Sequence, residues 1–167
     1  MTRRDVAAAA RLVAAGTLSP GSEDPDRGND YWAAVEETRR RRGDVLVAEA
    51  DGEVIGVVQV MVFPHFQHTG GWCAEVESVH VRADARGRGV GSALLDAAEA
   101  LARERGCYRI QLTSRNVRVE AHRFYLARGF DQTSQGFKKL LDGGDLAQGP
   151  VVDVEDEAAD LGVVDEG

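Results

Sequence analysis

The chain has 167 residues, 43% hydrophobic and 29% charged, which is enough apolar material for one core and one domain. Its formal net charge of −8 comes from the last stretch: residues 142–167 hold nine acidic and no basic side chains, leaving 19 acidic against 20 basic in residues 1–141. A body so near neutrality, with no apolar run of membrane-spanning length and only Cys73 and Cys107 as thiols, argues against nucleic-acid partners, membrane insertion and a disulfide framework, and points to a reducing cytoplasm.

Thr2-Arg3-Arg4 before a run of alanines has a passing likeness to an export signal. Asp5 and Arg11 interrupt the apolar stretch, however, and residues 5–16 read as an amphipathic helix. A Gly/Ser/Pro/Asp loop follows over 17–29, then a helix over 30–42 that closes on Arg39-Arg40-Arg41-Arg42, where cations complement the helix dipole. β-Branched runs at 45–50 and 54–63 flank Asp51-Gly52, the strongest hairpin signal in the chain. After a loop over 64–71 the pattern predicts a strand over 73–82, a helix over 90–105, a strand over 107–113 and a helix over 118–128 with Gly129 as its left-handed stop. A last strand is expected near 135–141. The acidic stretch 142–167 lacks aromatic residues and periodicity and reads as a disordered tail, which leaves 1–141 as the domain.

The segment joining the strand over 73–82 to the next helix carries the chemistry: Arg86-Gly87-Arg88-Gly89-Val90-Gly91-Ser92. A β-branched run ends, glycines allow positive φ and close backbone approach, and a helix then starts with its free N–H groups at the positive end of the dipole. Such a turn cradles a pyrophosphate. It contains no Gly-x-x-x-x-Gly-Lys-Ser/Thr motif, and Ser92 breaks Gly-x-Gly-x-x-Gly. Arg86, Gly89 and Gly91 instead give Arg-x-x-Gly-x-Gly, and a second block, Ala121-His122-Arg123-Phe124-Tyr125 ending in Gly129-Phe130, follows the next strand.

These two blocks, in this order, resemble the GNAT superfamily of N-acetyltransferases over roughly residues 45–141. The wording from Leu112-Thr113-Ser114 to Tyr125, and at Gln135-Gly136-Phe137-Lys138-Lys139-Leu140, is most similar to aminoalkylphosphonate N-acetyltransferases. The resemblance implies an α/β acyl-CoA N-acyltransferase fold: a mixed, mostly antiparallel sheet flanked by helices, here with its first strand missing or reduced. It implies acetyl-CoA as co-substrate, a small-molecule amine as acceptor, and a homodimer as a common assembly of the family. Backbone groups of Val79, His80 and Val81 would hold the pantetheine arm, and Arg86, Gly87, Arg88, Gly89, Val90, Gly91 and Ser92 the pyrophosphate. Where the family carries an asparagine three positions before the motif alanine this chain has Arg118, so Asn116 is the cofactor candidate and Arg118 a candidate for an anionic group.

Amide formation from a thioester needs a neutral amine, so a base must take its proton. With regular strand alternation Glu75, Glu77, Val79 and Val81 share one face, and Val76, Ser78 and His80 the other. Glu75 matches an acidic residue of the family strand and is the first choice for the base, with Glu77 second, working through water. Tyr125 matches the family's proton donor to the departing thiolate. His65 and His68 lie in a loop that often builds acceptor specificity in the family. Two histidines do not make a metal site, and none is expected. Acetylation of protein N-termini or lysines, and a non-catalytic acyl-CoA-binding module, stand as the alternatives.

Overall fold

Among the described residues four strands form a single sheet in the order β1 (Asp44–Ala50), β2 (Glu53–Pro64), β3 (Trp72–Val81), β4 (Cys107–Leu112). The computed structural model describes residues 1–19, 21–139 and 141. The first three strands pair antiparallel, while β3 and β4 pair parallel. Parallel strands need a crossover, which α4 (Val90–Glu104) supplies. The hairpin between β1 and β2 turns on Asp51 and Gly52 with φ of 52° and 78°, both left-handed as an Asp-Gly two-residue turn requires.

The two sheet faces are covered unequally. Val58, Val60, Ala74 and Val76 meet Leu94, Leu95, Ala98 and Ala102 of α4 in the main core. On the other face α1 (Val6–Gly16) and α2 (Gly28–Arg40) bury a smaller cluster of Ala9, Val35, Val45 and Val57. α1 is preceded by a 3-10 turn over Arg3–Asp5, where the Asp5 carboxylate accepts hydrogen bonds from Thr2 N (2.6 Å) and Thr2 Oγ1 (2.8 Å). A single irregular turn, α3 (Gln67–Gly70), interrupts the loop between β2 and β3, and α5 (Val119–Ala127) follows β4. Among the described residues no strand precedes α1, and no helix is long and apolar enough to cross a membrane.

One predicted element is corrected. Residues 135–139 form no strand, and Phe137 and Leu141 are 93% and 92% exposed. Phe137 and Leu141 share a strand parity with Lys139, and Gly136 adds backbone entropy, so neither face of an extended segment is apolar enough to pin it on the sheet. The expected acidic tail, 142–167, lies outside the described residues.

Candidate functional site

The site grows out of an irregularity in β3. Val57 pairs with His80 and Gln59 with Glu77, so two residues, Ser78 and Val79, oppose the single Val58. Ser78 is left-handed, with φ of 52°. Such a bulge shifts the alternation by one residue. This overturns the face assignment made from regular alternation. Val79 and Val81 turn with Val76 onto the α4 core, while His80 joins Glu75 and Glu77 on the side of α1 and α2. Gly16 at the end of α1 agrees with the placement, since a Cβ there would collide with His80 Nδ1.

Beyond the bulge β3 also loses its other neighbour. Pairing with β4 ends at Val76 and Leu112, so from Glu77 to Val81 the β3 backbone has no strand partner on that side among the described residues. This open edge of N–H and C=O groups runs directly into the glycine-rich loop. There Gly87 and Gly89 have φ of 70° and 82°, and a Cβ on either would meet nothing within 4 Å. No side chain caps α4, whose first backbone bond is Ala93 N–H to Gly89 O, so the N–H groups of Val90, Gly91 and Ser92 have no intrahelical partner. Arg86 and Arg88 are exposed beside them, and Arg86 Nε donates to Val81 O at 3.2 Å. Gly91 has a second purpose that the motif did not suggest: a Cβ there would lie 3.2 Å from Phe124, so it also lets α4 pack on α5.

Tyr125 of α5 packs against Phe124 and Phe130, with ring centroids 5.4 and 6.0 Å away. Burial raises the pKa of its phenol above the ordinary value, Arg118 opposes this and Glu77 adds to it, so the hydroxyl stays protonated at neutral pH. Glu77 is half-buried, and its carboxyl is pushed above the usual range by that burial and by Glu75; Lys138 and the Ser78 N–H pull the other way. Glu75 has a partner, since Gln111 Nε2 donates to its Oε2. Burial lowers the His80 pKa, and Arg118 lowers it further. A carboxylate and a phenol whose proton that carboxylate helps to retain thus lie near an open backbone edge, which suits proton removal on one side and proton donation on the other.

Other residues singled out from the sequence fall elsewhere. His65 and His68 stack with Tyr108, and His65 Nδ1 lies 2.8 Å from Tyr108 Oη. They sit where Pro64 pairs with Trp72, at the opposite end of β3 from the loop, about 20 Å from Ser78 at 3.3 Å per residue. The β2–β3 connection that carries them leaves the sheet at the end of β3 away from the glycine-rich loop. Among the described residues no three His, Cys, Asp or Glu side chains are placed to hold a metal ion. Asn116 is exposed in the loop after β4. Arg118 Nη2 donates to Gly16 O at 2.6 Å and Arg115 Nη2 to Ser19 Oγ at 3.2 Å, so these two guanidiniums fasten the loop after α1 to the start of α5. Sequence reading missed Gln111, Gly16 and Lys138. Only Lys138 left a signal, as one of two lysines in a chain of 20 basic residues.

Comparison with known proteins bears on this arrangement. The chain is 36% identical over 95 residues to an aminoalkylphosphonate N-acetyltransferase of Salmonella typhimurium, covering 57% of this chain and 61% of that one. It therefore spans less than two thirds of that relative's length. A glucosamine 6-phosphate N-acetyltransferase of Trypanosoma brucei brucei is 30% identical over 112 residues, 65% of this chain and 74% of its own. Among solved structures, a transcriptional regulator from Bacillus halodurans superposes with a TM-score of 0.77 at 32% identity, over 84% of this chain and 95% of that one. Residues 10–130 match the acetyltransferase (GNAT) family, and the chain belongs to that family.

Proposed function

We propose that the chain is an acetyl-CoA-dependent N-acetyltransferase that passes the acetyl group directly to a primary amine of a small molecule within a ternary complex. The observation that carries this reading is the β3 edge from Glu77 to Val81, which has no strand partner on its β4 side among the described residues and leads into the N–H groups at the start of α4. Donors in that position suit a chain of amides ending in a pyrophosphate, and the empty space at the Cβ positions of Gly87 and Gly89 lets phosphate oxygens approach the backbone. The backbone of Val79, His80 and Val81 would hold the pantetheine arm, and Arg86 and Arg88 would add charge at the pyrophosphate.

Bound acetyl-CoA supplies an activated acyl carbon. The protein's part is proton transfer and orientation. Glu77 adjoins the bulge and takes the proton from the incoming ammonium; burial raises its basicity for that task. Glu75, the first choice from sequence, is engaged by Gln111 and sits one strand period further from the bulge, where it orients the cationic acceptor. Tyr125 gives its proton to the departing thiolate. Arg118 holds the loop after α1 against α5 and so shapes the acceptor side. The acceptor is a small-molecule amine, as the names of the related enzymes suggest. The test is CoA thiol release from acetyl-CoA across a panel of aminoalkylphosphonates, amino sugars, simple amines and peptides. Turnover with a small amine supports the reading, turnover confined to peptides replaces the acceptor class, and acetyl-CoA binding without turnover refutes catalysis.

A further inference from the structure

Of the 20 basic residues in the chain only two are lysines, Lys138 and Lys139, and both lie in the exposed segment after α5. All other side-chain cations are arginines, whose guanidinium stays charged and is a poor nucleophile at physiological pH. The lysine segment runs past the mouth of the β3–β4 seam. A Cβ on Gly136 would stand 4.0 Å from Thr113 Cγ2, and Thr113 directly follows Leu112, the partner of Val76. Lys138 follows two residues further on, and its charge holds the Glu77 carboxyl lower than burial alone would leave it. A primary amine belonging to the chain itself thus lies on the segment that passes the end of β4, within electrostatic reach of the proposed base.

We propose that Lys138 is an internal acceptor: with no amine bound, the enzyme transfers the acetyl group of acetyl-CoA to the Nε of its own Lys138. The inference rests on the acetyltransferase reading above. The Lys138 ammonium gives its proton to Glu77, and the freed lone pair forms the bond to the acyl carbon. The carbon–sulfur bond breaks, the thiolate takes the proton of Tyr125, and the second proton on the new amide nitrogen returns to the tyrosinate, leaving Nε-acetyl-lysine, CoA thiol and a protonated Glu77. The product has lost the positive charge beside Glu77, so modification removes a cation that competes with the acceptor's ammonium for the same carboxylate.

Mass spectrometry decides the matter, because besides Lys138 the sequence offers only Lys139 and a terminal amine as alternatives. The full-length protein is incubated with acetyl-CoA and no amine, and modification is followed at intact and peptide level. The expected result is one acetyl group on Lys138 in preference to Lys139, formed at a rate independent of protein concentration and slowed about 100-fold or more by Tyr125→Phe. Equal labelling of both lysines, a rate unaffected by Tyr125→Phe, or a rate that rises with protein concentration would overturn it. In Lys138→Arg the label should vanish; its transfer to Lys139 at the original rate would count against the proposal. An unlabelled Lys138 in a protein that turns over small amines refutes the internal acceptor and leaves the acetyltransferase reading intact. No label and no turnover refute both.

Discussion

Replacing Tyr125 with phenylalanine separates chemistry from architecture with little ambiguity. The phenyl ring keeps the contacts with Phe124 and Phe130, whose centroids lie 5.4 and 6.0 Å away, and the hydroxyl makes no hydrogen bond among the described residues, so its removal orphans no partner. Folding stability should therefore change by less than about 1 kcal/mol. If the phenol protonates the departing thiolate, its loss removes a general acid, an effect of about 100- to 10,000-fold in turnover. That corresponds to about 3–5 kcal/mol in the barrier. Thiol release at saturating substrates gives kcat, calorimetry gives the acetyl-CoA Kd, and a melting curve checks the fold. A large fall in kcat with Kd and Tm unchanged is expected. A fall of less than about fivefold, well below the usual contribution of an acid catalyst, would refute the assignment, as would a parallel loss of binding and turnover.

Three further outcomes follow from the geometry. If Glu77 is the base it acts in its ionised form, and burial and Glu75 hold its carboxyl above the usual carboxylate range, so kcat/KM should fall as pH drops through that raised pKa; Glu75→Gln removes a like charge and should move this acid limb to lower pH, and a pH–rate profile in which it stays put would count against Glu77. Gly89→Ala places a side chain at φ of 82°, which costs about 1–2 kcal/mol of backbone strain, and projects a methyl into the cradle; KM for acetyl-CoA should rise about tenfold or more while kcat at saturation holds, as steady-state kinetics will show. Leu95 is completely buried between α4 and the sheet, so Leu95→Ala should cost about 2–5 kcal/mol and lower Tm by about 5–15 °C in a thermal melt.

Much of this arrangement was legible in residue types. Asp51-Gly52 announced its hairpin because few dipeptides accept two left-handed residues in a row, and the glycines of the loop announced a backbone cradle for the same reason. The order of the two motifs placed Tyr125 near the seam. What escaped was set by register. Ser78 gives no local sign of a positive φ, so the bulge, and with it the transfer of His80 to the carboxylate face, could not be read from alternation. The contact of His65 and His68 with Tyr108 likewise depends on how the β2–β3 connection meets β4, which alternation does not show. Gly91 was read for phosphate alone, because its contact with Phe124 depends on how α5 docks against α4. The segment 135–139 has β-forming residues without a continuous apolar face, and tertiary context decided against a strand.

The central claim is direct transfer between two ligands that share the seam, with no acetyl group resting on the protein during turnover. Initial rates of thiol release, measured while acetyl-CoA and the best small amine are varied together, test it most directly. The proposed mechanism predicts double-reciprocal lines that intersect, because in it Glu77 and Tyr125 serve one step in which both substrates are present. Parallel lines, the signature of a covalent acetyl-enzyme on the turnover path, would contradict it.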